Sequence, residues 1–126
     1  MTTTESAILC VGEALIDVVR RPGREDSEHV GGSLLNVAAG AAALQVPTYL
    51  ASWWGADERG ARLADFAAAA GVRVVEGTAG APATPIALAD VDADGQARYT
   101  FELTWELPPL PAQGVGHVHT GSLAAT

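Results

Sequence analysis

The sequence predicts an α/β protein in which helices cover a parallel β-sheet, with a β-hairpin outside that sheet. From Ala7 to Val75, short apolar runs typical of buried strands alternate with helical segments. From Thr84 to Leu103, two extended segments flank Asp92-Ala-Asp-Gly95, a strong hairpin signal. The 126 residues are enough for one domain core but not for two full domains.

The chain begins with a predicted strand and a predicted loop. Ala7 to Val11 is a short apolar run that predicts a buried strand, and apolar residues continue beyond it with Glu13 and Asp17 interrupting. The segment from Arg20 to Glu28 is polar and contains a Pro-Gly pair, so it is predicted to be a loop.

The next elements are predicted to alternate between helix and strand. A helix starts at Ser33, which suits the N-cap, and ends near Gln45. Because Asn36 and Gln45 are its only polar side chains after the cap, we expect this helix to be buried on most sides. The further predicted elements are a strand from Thr48 to Trp54, a helix from Glu58 to Ala70 capped by Gly71, and a strand from Val72 to Val75.

The last part of the chain predicts the hairpin and one more core strand. In the second hairpin segment apolar and polar residues alternate, so one face is apolar and the other carries Arg98, Thr100 and Glu102. A strand follows from Val115 to Leu123, close to the last residue. Because a parallel strand requires a covering helix, we expect the natural chain to continue further.

Composition excludes several classes of function. Seven arginines, no lysine and 15 acidic residues give a net charge of -8, which disfavours binding to nucleic acid or to a membrane surface. The missing lysine also excludes a Walker A phosphate loop. Cys10 is the single cysteine and cannot form an internal disulfide. No signal peptide or membrane span is evident, which predicts a cytoplasmic protein.

The segment Gly31-Gly-Ser-Leu-Leu-Asn36 is the leading candidate for a ligand site. Glycines let a ligand approach the backbone, and Asn36 lies in the first helical turn, near unpaired backbone donors and the positive end of the helix dipole. A small polar or anionic ligand would fit there. The same residues are equally compatible with a tight turn and a second capping residue.

Five motifs follow one another along most of the chain, and together they resemble the N-terminal part of a known enzyme family. They are Cys10-Val-Gly-Glu-Ala-Leu-Ile-Asp17, Gly31-Gly-Ser-Leu-Leu-Asn-Val-Ala38, Gly55-Ala-Asp-Glu-Arg-Gly60, Asp92-Ala-Asp-Gly95 and His119-Thr-Gly-Ser122. In this order the chain resembles ribokinase-like carbohydrate kinases, the PfkB family, from Ala7 to Ala125.

The resemblance implies a three-layer αβα fold around a parallel sheet, with a small β lid. Residues 1–126 would be the sugar-binding portion, without the C-terminal half, and the hairpin at about 84–103 would be the lid. The implied reaction is the phosphorylation of a sugar or sugar-like alcohol by ATP with Mg²⁺. The implied sugar-binding residues are Asp17, Gly31, Gly32 and Asn36. The implied lid would close over the sugar, exclude water and, as in many family members, mediate a homodimer.

Two departures from the family pattern limit what the resemblance implies. The family's Gly-Ala-Gly-Asp segment, whose aspartate is the catalytic base, is absent from the sequence, as is most of the nucleotide site. We therefore predict no catalytic residue in these 126 residues and no activity of this chain alone. In the lid, Glu102-Leu103 stands where some fructokinase-like members carry Tyr-Arg.

Several residues have two interpretations. Arg98 and Glu102 could contact the substrate from the lid or form a solvated face. His117 and His119 share a strand face but have no third ligand nearby, so no metal site is predicted.

The alternative function is a non-catalytic sugar-binding or dimerisation module. A dinucleotide-binding domain is a third and weaker candidate, because no Gly-x-Gly-x-x-Gly follows the first strand.

Overall fold

The computed structural model describes residues 6–102, 105–110 and 115–121, which form two four-stranded sheets and two helices. The strands are β1 (Ala7–Val11), β2 (Leu15–Arg20), β3 (Ser27–Gly31), β4 (Thr48–Ala51), β5 (Arg73–Val74), β6 (Ile86–Val91), β7 (Ala97–Glu102) and β8 (Val115–Thr120). The two helices are α1 (Ser33–Ala43) and α2 (Glu58–Ala70), and Thr78–Gly80 forms a short 3₁₀ turn.

The main sheet has the strand order β5-β4-β1-β8 and is parallel throughout. Both helices pack on one of its faces, because Leu34 of α1 and Leu63 of α2 belong to the same buried cluster as Cys10 and Leu50. The remaining strand residues, in alternation, point to the face of the main sheet that is opposite to the helices. That face carries a smaller cluster of Leu9, Val11 and Ala51, and no helix covers it among the described residues.

The second sheet has the order β3-β2-β6-β7, and we call it the lid sheet. Its β2 and β6 strands are parallel, whereas β2–β3 and β6–β7 are antiparallel. The chain leaves the main sheet directly after β1, so Asp17 lies within the lid sheet and not at the end of the first strand. One face of β2, with Ile16 and Val18, packs into the core between the helices and the lid sheet.

Most predicted elements are confirmed, with shorter bounds for the strands. α2 begins after an N-cap at Asp57 and ends at Gly71, whose φ of 82° is the left-handed conformation that favours glycine. The hairpin is confirmed as β6 and β7. Its predicted last residue, Leu103, lies outside the described residues, as do the end of the predicted last strand, Ser122 and residues 1–5.

Three predictions about the first half are wrong in detail. The predicted loop includes the start of β3, because Ser27 and Glu28 pair with β2. Helix α1 is buried only along Leu34, Leu35 and Ala38, while its other side is open. The N-cap is Gly32 without a side-chain hydrogen bond, because Ser33 is the first helical residue and its hydroxyl donates elsewhere.

Candidate functional site

Asp17 and Gly31 meet on one face of the lid sheet. Gly31 pairs with Leu15 across the β2–β3 ladder, and Asp17 pairs with His29, so the side chains of Leu15, Asp17 and His29 share this face. A β-carbon on Gly31 would collide with the Asp17 carboxylate, which lies directly over the glycine. Gly31 therefore provides the space that the carboxylate occupies.

Gly32 joins this face to the start of α1. Its φ of 104° strongly favours glycine, and a β-carbon there would lie 2.6 Å from the Glu13 carbonyl oxygen. The backbone N–H of Asn36 donates to the Gly32 carbonyl at 3.1 Å, and the residue is exposed. Asp17, Gly31 and Gly32 therefore lie side by side just before α1, and Asn36 follows in the first turn of that helix.

Glu13, in the connection between β1 and β2, is hydrogen-bonded to α1. The side chain is buried, and its Oε1 accepts a hydrogen bond from the Ser33 hydroxyl at 3.1 Å. The other carboxylate oxygen has no hydrogen-bond partner among the described residues. Glu13 therefore links the turn after β1 to the first residue of α1.

Arg98 and Glu102 lie on the face of the lid sheet opposite to Asp17. Arg98 pairs with Asp90 and Glu102 pairs with Ile86 across the hairpin, and Ile86 pairs in turn with Ile16. Paired residues point to the same side, so these polar residues share the face of Ile16. The structure therefore does not bring them together with Asp17. The β7 side chains on the face of Asp17 are Ala97, Tyr99 and Phe101.

Comparison with known proteins assigns the chain to a family. The family model described as pfkB family carbohydrate kinase matches residues 5–106. The chain belongs to this family. No match was found among curated proteins.

Solved structures give the same result for the fold. A carbohydrate kinase from Agrobacterium tumefaciens is 26% identical with a TM-score of 0.66, over 77% of this chain and 35% of that one. Fructokinase from Xylella fastidiosa is 29% identical with a TM-score of 0.61, over 77% and 33%. A structure of fructokinase from the same organism with bound ATP is 28% identical with a TM-score of 0.60, over 77% and 33%. The chain spans about a third of the length of these structures.

In this PfkB-family chain, the motif Gly55-Ala-Asp-Glu-Arg-Gly60 ties α2 to the base of the hairpin. Asp57 accepts a hydrogen bond from the Gly60 N–H at 2.8 Å, and it also accepts from the hydroxyl and the backbone N–H of Thr84. The Thr84 hydroxyl in turn accepts from the Gly55 N–H at 3.0 Å. The Thr84 hydroxyl, followed by the Gly60 N–H, lowers the pKa of Asp57.

The two glycines of this motif are required by close backbone contact. A β-carbon on Gly60 would collide with the Gly55 carbonyl oxygen, and one on Gly55 would lie 3.0 Å from backbone atoms of Ala83. This motif therefore builds a compact junction where α2, β4 and the approach to β6 meet. Sequence reasoning used it only to recognise the family and did not anticipate the link between Asp57 and Thr84.

A second polar link joins the lid sheet of this kinase-family fold to α2. Glu28 on β3 accepts from the Arg59 Nε at 3.0 Å and Nη2 at 2.8 Å, and from the Arg62 Nη1 at 2.9 Å. The hydrogen bond from Arg59, with a further one from Arg62, lowers the pKa of Glu28 to about 2. No sequence signal predicted these partners, because they lie 31 and 34 residues apart.

The described residues offer no evident metal site or membrane span. No group of three or more His, Cys, Asp and Glu side chains converges within residues 6–102, 105–110 and 115–121. His117 and His119 are exposed on β8, which pairs with β1. Within these ranges, neither helix is long and apolar enough to cross a bilayer. Mg²⁺ remains a prediction from the family resemblance.

Proposed function

We propose that this protein phosphorylates a hydroxyl group of a sugar or sugar-like alcohol with ATP, and that the described residues supply the sugar site and the lid. The observation that carries the proposal is the Asp17 carboxylate placed over Gly31, next to Gly32 and the first turn of α1. Membership of the PfkB carbohydrate kinase family supplies the reaction class. The ATP-bound fructokinase from Xylella fastidiosa supports ATP as the phosphate donor.

In this proposal Asp17 accepts hydrogen bonds from sugar hydroxyls, and the Asn36 amide can both donate and accept. Gly31 and Gly32 allow the sugar to approach the backbone without a steric clash. Neutral hydroxyls suit this arrangement better than an anion does, because the Asp17 carboxylate would repel a negative charge. We assign no catalytic base to the 126 residues, since the family's Gly-Ala-Gly-Asp segment is absent from them.

The lid sheet would close over the sugar with the face that carries Asp17, Tyr99 and Phe101. Tyr99 is 66% exposed and Phe101 is 52% exposed, so this face has apolar surface available for a sugar ring or a second subunit. Closure would exclude water from the transferring phosphate and suppress ATP hydrolysis. A homodimer formed through this face is part of the proposal.

The second candidate is a non-catalytic sugar-binding or dimerisation module. The exposed apolar face of the hairpin favours it, because such a surface can serve association alone. The two candidates differ in turnover, since only the kinase consumes ATP in proportion to phosphorylated sugar.

The test is an ATP-dependent phosphorylation assay on the longest natural form of the protein, with a broad panel of sugars and nucleosides. The proposal expects stoichiometric sugar phosphate and ADP with at least one acceptor. Sugar binding without any phosphorylated product would favour the non-catalytic module. If no acceptor is bound or phosphorylated, both the kinase and the sugar-binding module are overturned, and only a dimerisation module is left.

A further inference from the structure

The lid sheet and α2 are joined by a cluster of charged side chains at the strand edge. The Arg59 guanidinium holds both oxygens of the Glu28 carboxylate in a bidentate pair, and Arg62 adds a third hydrogen bond. The Arg62 Nη2 also donates to the Glu28 backbone carbonyl at 3.5 Å. Bidentate arginine–carboxylate pairs fix geometry as well as supplying energy.

Beside this cluster the space between the lid sheet and α2 is open. A cavity of about 380 Å³ is lined by Glu28, Arg59 and Arg62 together with Asp57 and Glu58. The apolar contact between the sheet and α2 lies deeper, where Ile16 and Val18 join the core. At the β3 edge, long charged side chains therefore bridge a gap that apolar packing does not fill.

The position of Glu28 in the β-ladder places it next to Asp17. Glu28 pairs with Val18, and the neighbouring pair is His29 with Asp17. Because successive residues point to opposite faces, the Glu28 carboxylate faces α2 while the Asp17 carboxylate faces Gly31. The hydrogen bonds to Glu28 therefore restrain a strand pair that is directly adjacent to the pair containing Asp17, the proposed sugar-binding residue.

We propose that Glu28, Arg59 and Arg62 form an ionic latch that positions Asp17 for sugar binding. These are positioning residues, because they do not contact the sugar. The latch holds the β2–β3 edge of the lid sheet at a fixed distance from α2, and so keeps Asp17 in place relative to Asn36 on α1, which shares its core with α2. The part of this proposal that concerns sugar rests on the proposed function, whereas the mechanical part does not.

The chain contains a matched control for the latch. Arg20 and Asp26 form an ion pair of 3.2 Å, also in the β2–β3 region, but both residues belong to the lid sheet or its connecting loop. That pair does not reach α2. D26N therefore removes a carboxylate charge and its ion pair with Arg20 from the same hairpin without releasing the sheet from the helix.

The first experiment measures amide hydrogen exchange in β2 and β3 of the wild type, E28Q and D26N. Partly exposed ion pairs with bidentate geometry contribute enough to change local opening by about three- to tenfold. E28Q is expected to speed exchange in β2 and β3 by that factor while the β1 and β4 amides keep their rates. D26N is expected to leave all four strands within about twofold of the wild type.

The second experiment measures the sugar KM and kcat of the same variants in the longest natural form of the protein. E28Q is expected to raise KM about three- to tenfold and to keep kcat within about twofold, because positioning affects ground-state and transition-state binding alike. Added salt should raise the wild-type KM toward that of E28Q, since it screens the latch. The KM of E28Q should respond less to salt.

The two readouts separate the latch from the proposed function. Equal exchange rates in wild type and E28Q, or an equal effect of D26N, would overturn the latch whatever the enzyme does. Faster exchange in E28Q with an unchanged KM would overturn the positioning of Asp17. If the wild type shows no activity on any acceptor, the proposed function fails, and the exchange comparison still decides whether the latch exists.

Discussion

The carboxylate of Asp17 occupies the space where a side chain on Gly31 would lie. The two residues are on neighbouring strands of the lid sheet and face the same side. Gly31 has no unusual backbone requirement, unlike Gly32 with its φ of 104°. The need for glycine at position 31 is therefore a matter of space for the Asp17 carboxylate.

G31A should displace the Asp17 carboxylate and weaken sugar binding. Because the clashing oxygen is the free end of a rotatable side chain, the fold should lose only about 1 kcal/mol or less. The matched control is G40A on the open side of α1, where a β-carbon meets nothing within 4 Å and alanine should stabilise the helix by about 0.5–1 kcal/mol. Urea unfolding measures the free energy of unfolding of both variants. A G31A protein as stable as wild type and with the same sugar affinity would show that the contact is unimportant.

T84V should destabilise the junction between α2 and the hairpin. Valine has the shape of threonine but lacks the hydroxyl that donates to Asp57 and accepts from the Gly55 N–H, so it leaves a buried donor unpaired. The expected loss is about 1–3 kcal/mol in the free energy of unfolding. T84S keeps the hydroxyl and is the control. Thermal unfolding that ranks T84V equal to or above T84S would contradict this role.

The stabilisation supplied by Glu28 should depend on pH in a defined direction. The pKa of Glu28 is lowered from 4.5 to about 2 in the folded protein, first by the hydrogen bond from Arg59 and further by Arg62. A carboxylate whose folded pKa is lowered stabilises fully above its unfolded pKa and loses that contribution as pH falls through the folded value. The difference in unfolding free energy between wild type and E28Q should therefore be constant above about pH 5.5 and fall to half or less near pH 3.

The pH experiment must distinguish the effect of Glu28 from the effects of other charged groups near Arg59. Asp57 and Glu102 also interact with Arg59, and both are present in wild type and in E28Q. Their charges are common to both proteins, so their effect largely cancels in the difference between the two. Denaturant unfolding at several pH values gives the comparison. A difference that stays the same from pH 7 to pH 3 would mean that the carboxylate is not held by the arginines.

F101E should weaken a lid-mediated homodimer. Phe101 lies on the apolar face of the hairpin, and burying such a side chain contributes enough to change association at least about tenfold. R98E places the same charge on the opposite face of β7 and serves as the control. Sedimentation velocity across the micromolar range should show a dimer for wild type and R98E and a monomer for F101E. A wild-type monomer at every concentration would rule out this interface.

Local signals in the sequence predicted the helices and the hairpin well. Asp57 and Gly71 mark the ends of α2 because capping depends on residues within one turn of the helix end. The Asp92 to Gly95 turn likewise predicted the pairing of β6 with β7. In contrast, β3 was missed because Ser27, Glu28 and His29 have the composition of a loop, and only pairing with β2 makes them a strand.

The candidate site was predicted only in part, for a related reason. Asp17, Gly31, Gly32 and Asn36 could be named from motifs that lie close together along the chain. The face that each residue occupies depends on long-range strand register, and a shift of one residue reverses it. The alternation in β7 therefore identified a polar face but could not show that Arg98 and Glu102 point away from Asp17. The latch partners of Glu28 could not be predicted from the sequence either, because their contact also depends on long-range packing.

The most direct measurement of the central claim is the sugar affinity of D17N compared with wild type and D26N. It is made by calorimetry on the longest natural form of the protein, with a sugar that the wild type phosphorylates. Loss of hydrogen bonds to a charged acceptor should weaken binding about 10- to 100-fold in D17N. D26N, whose carboxylate lies in the loop of the same hairpin, should bind like wild type. Equal affinity for all three proteins would contradict the assignment of Asp17 and its glycine pair as the sugar site.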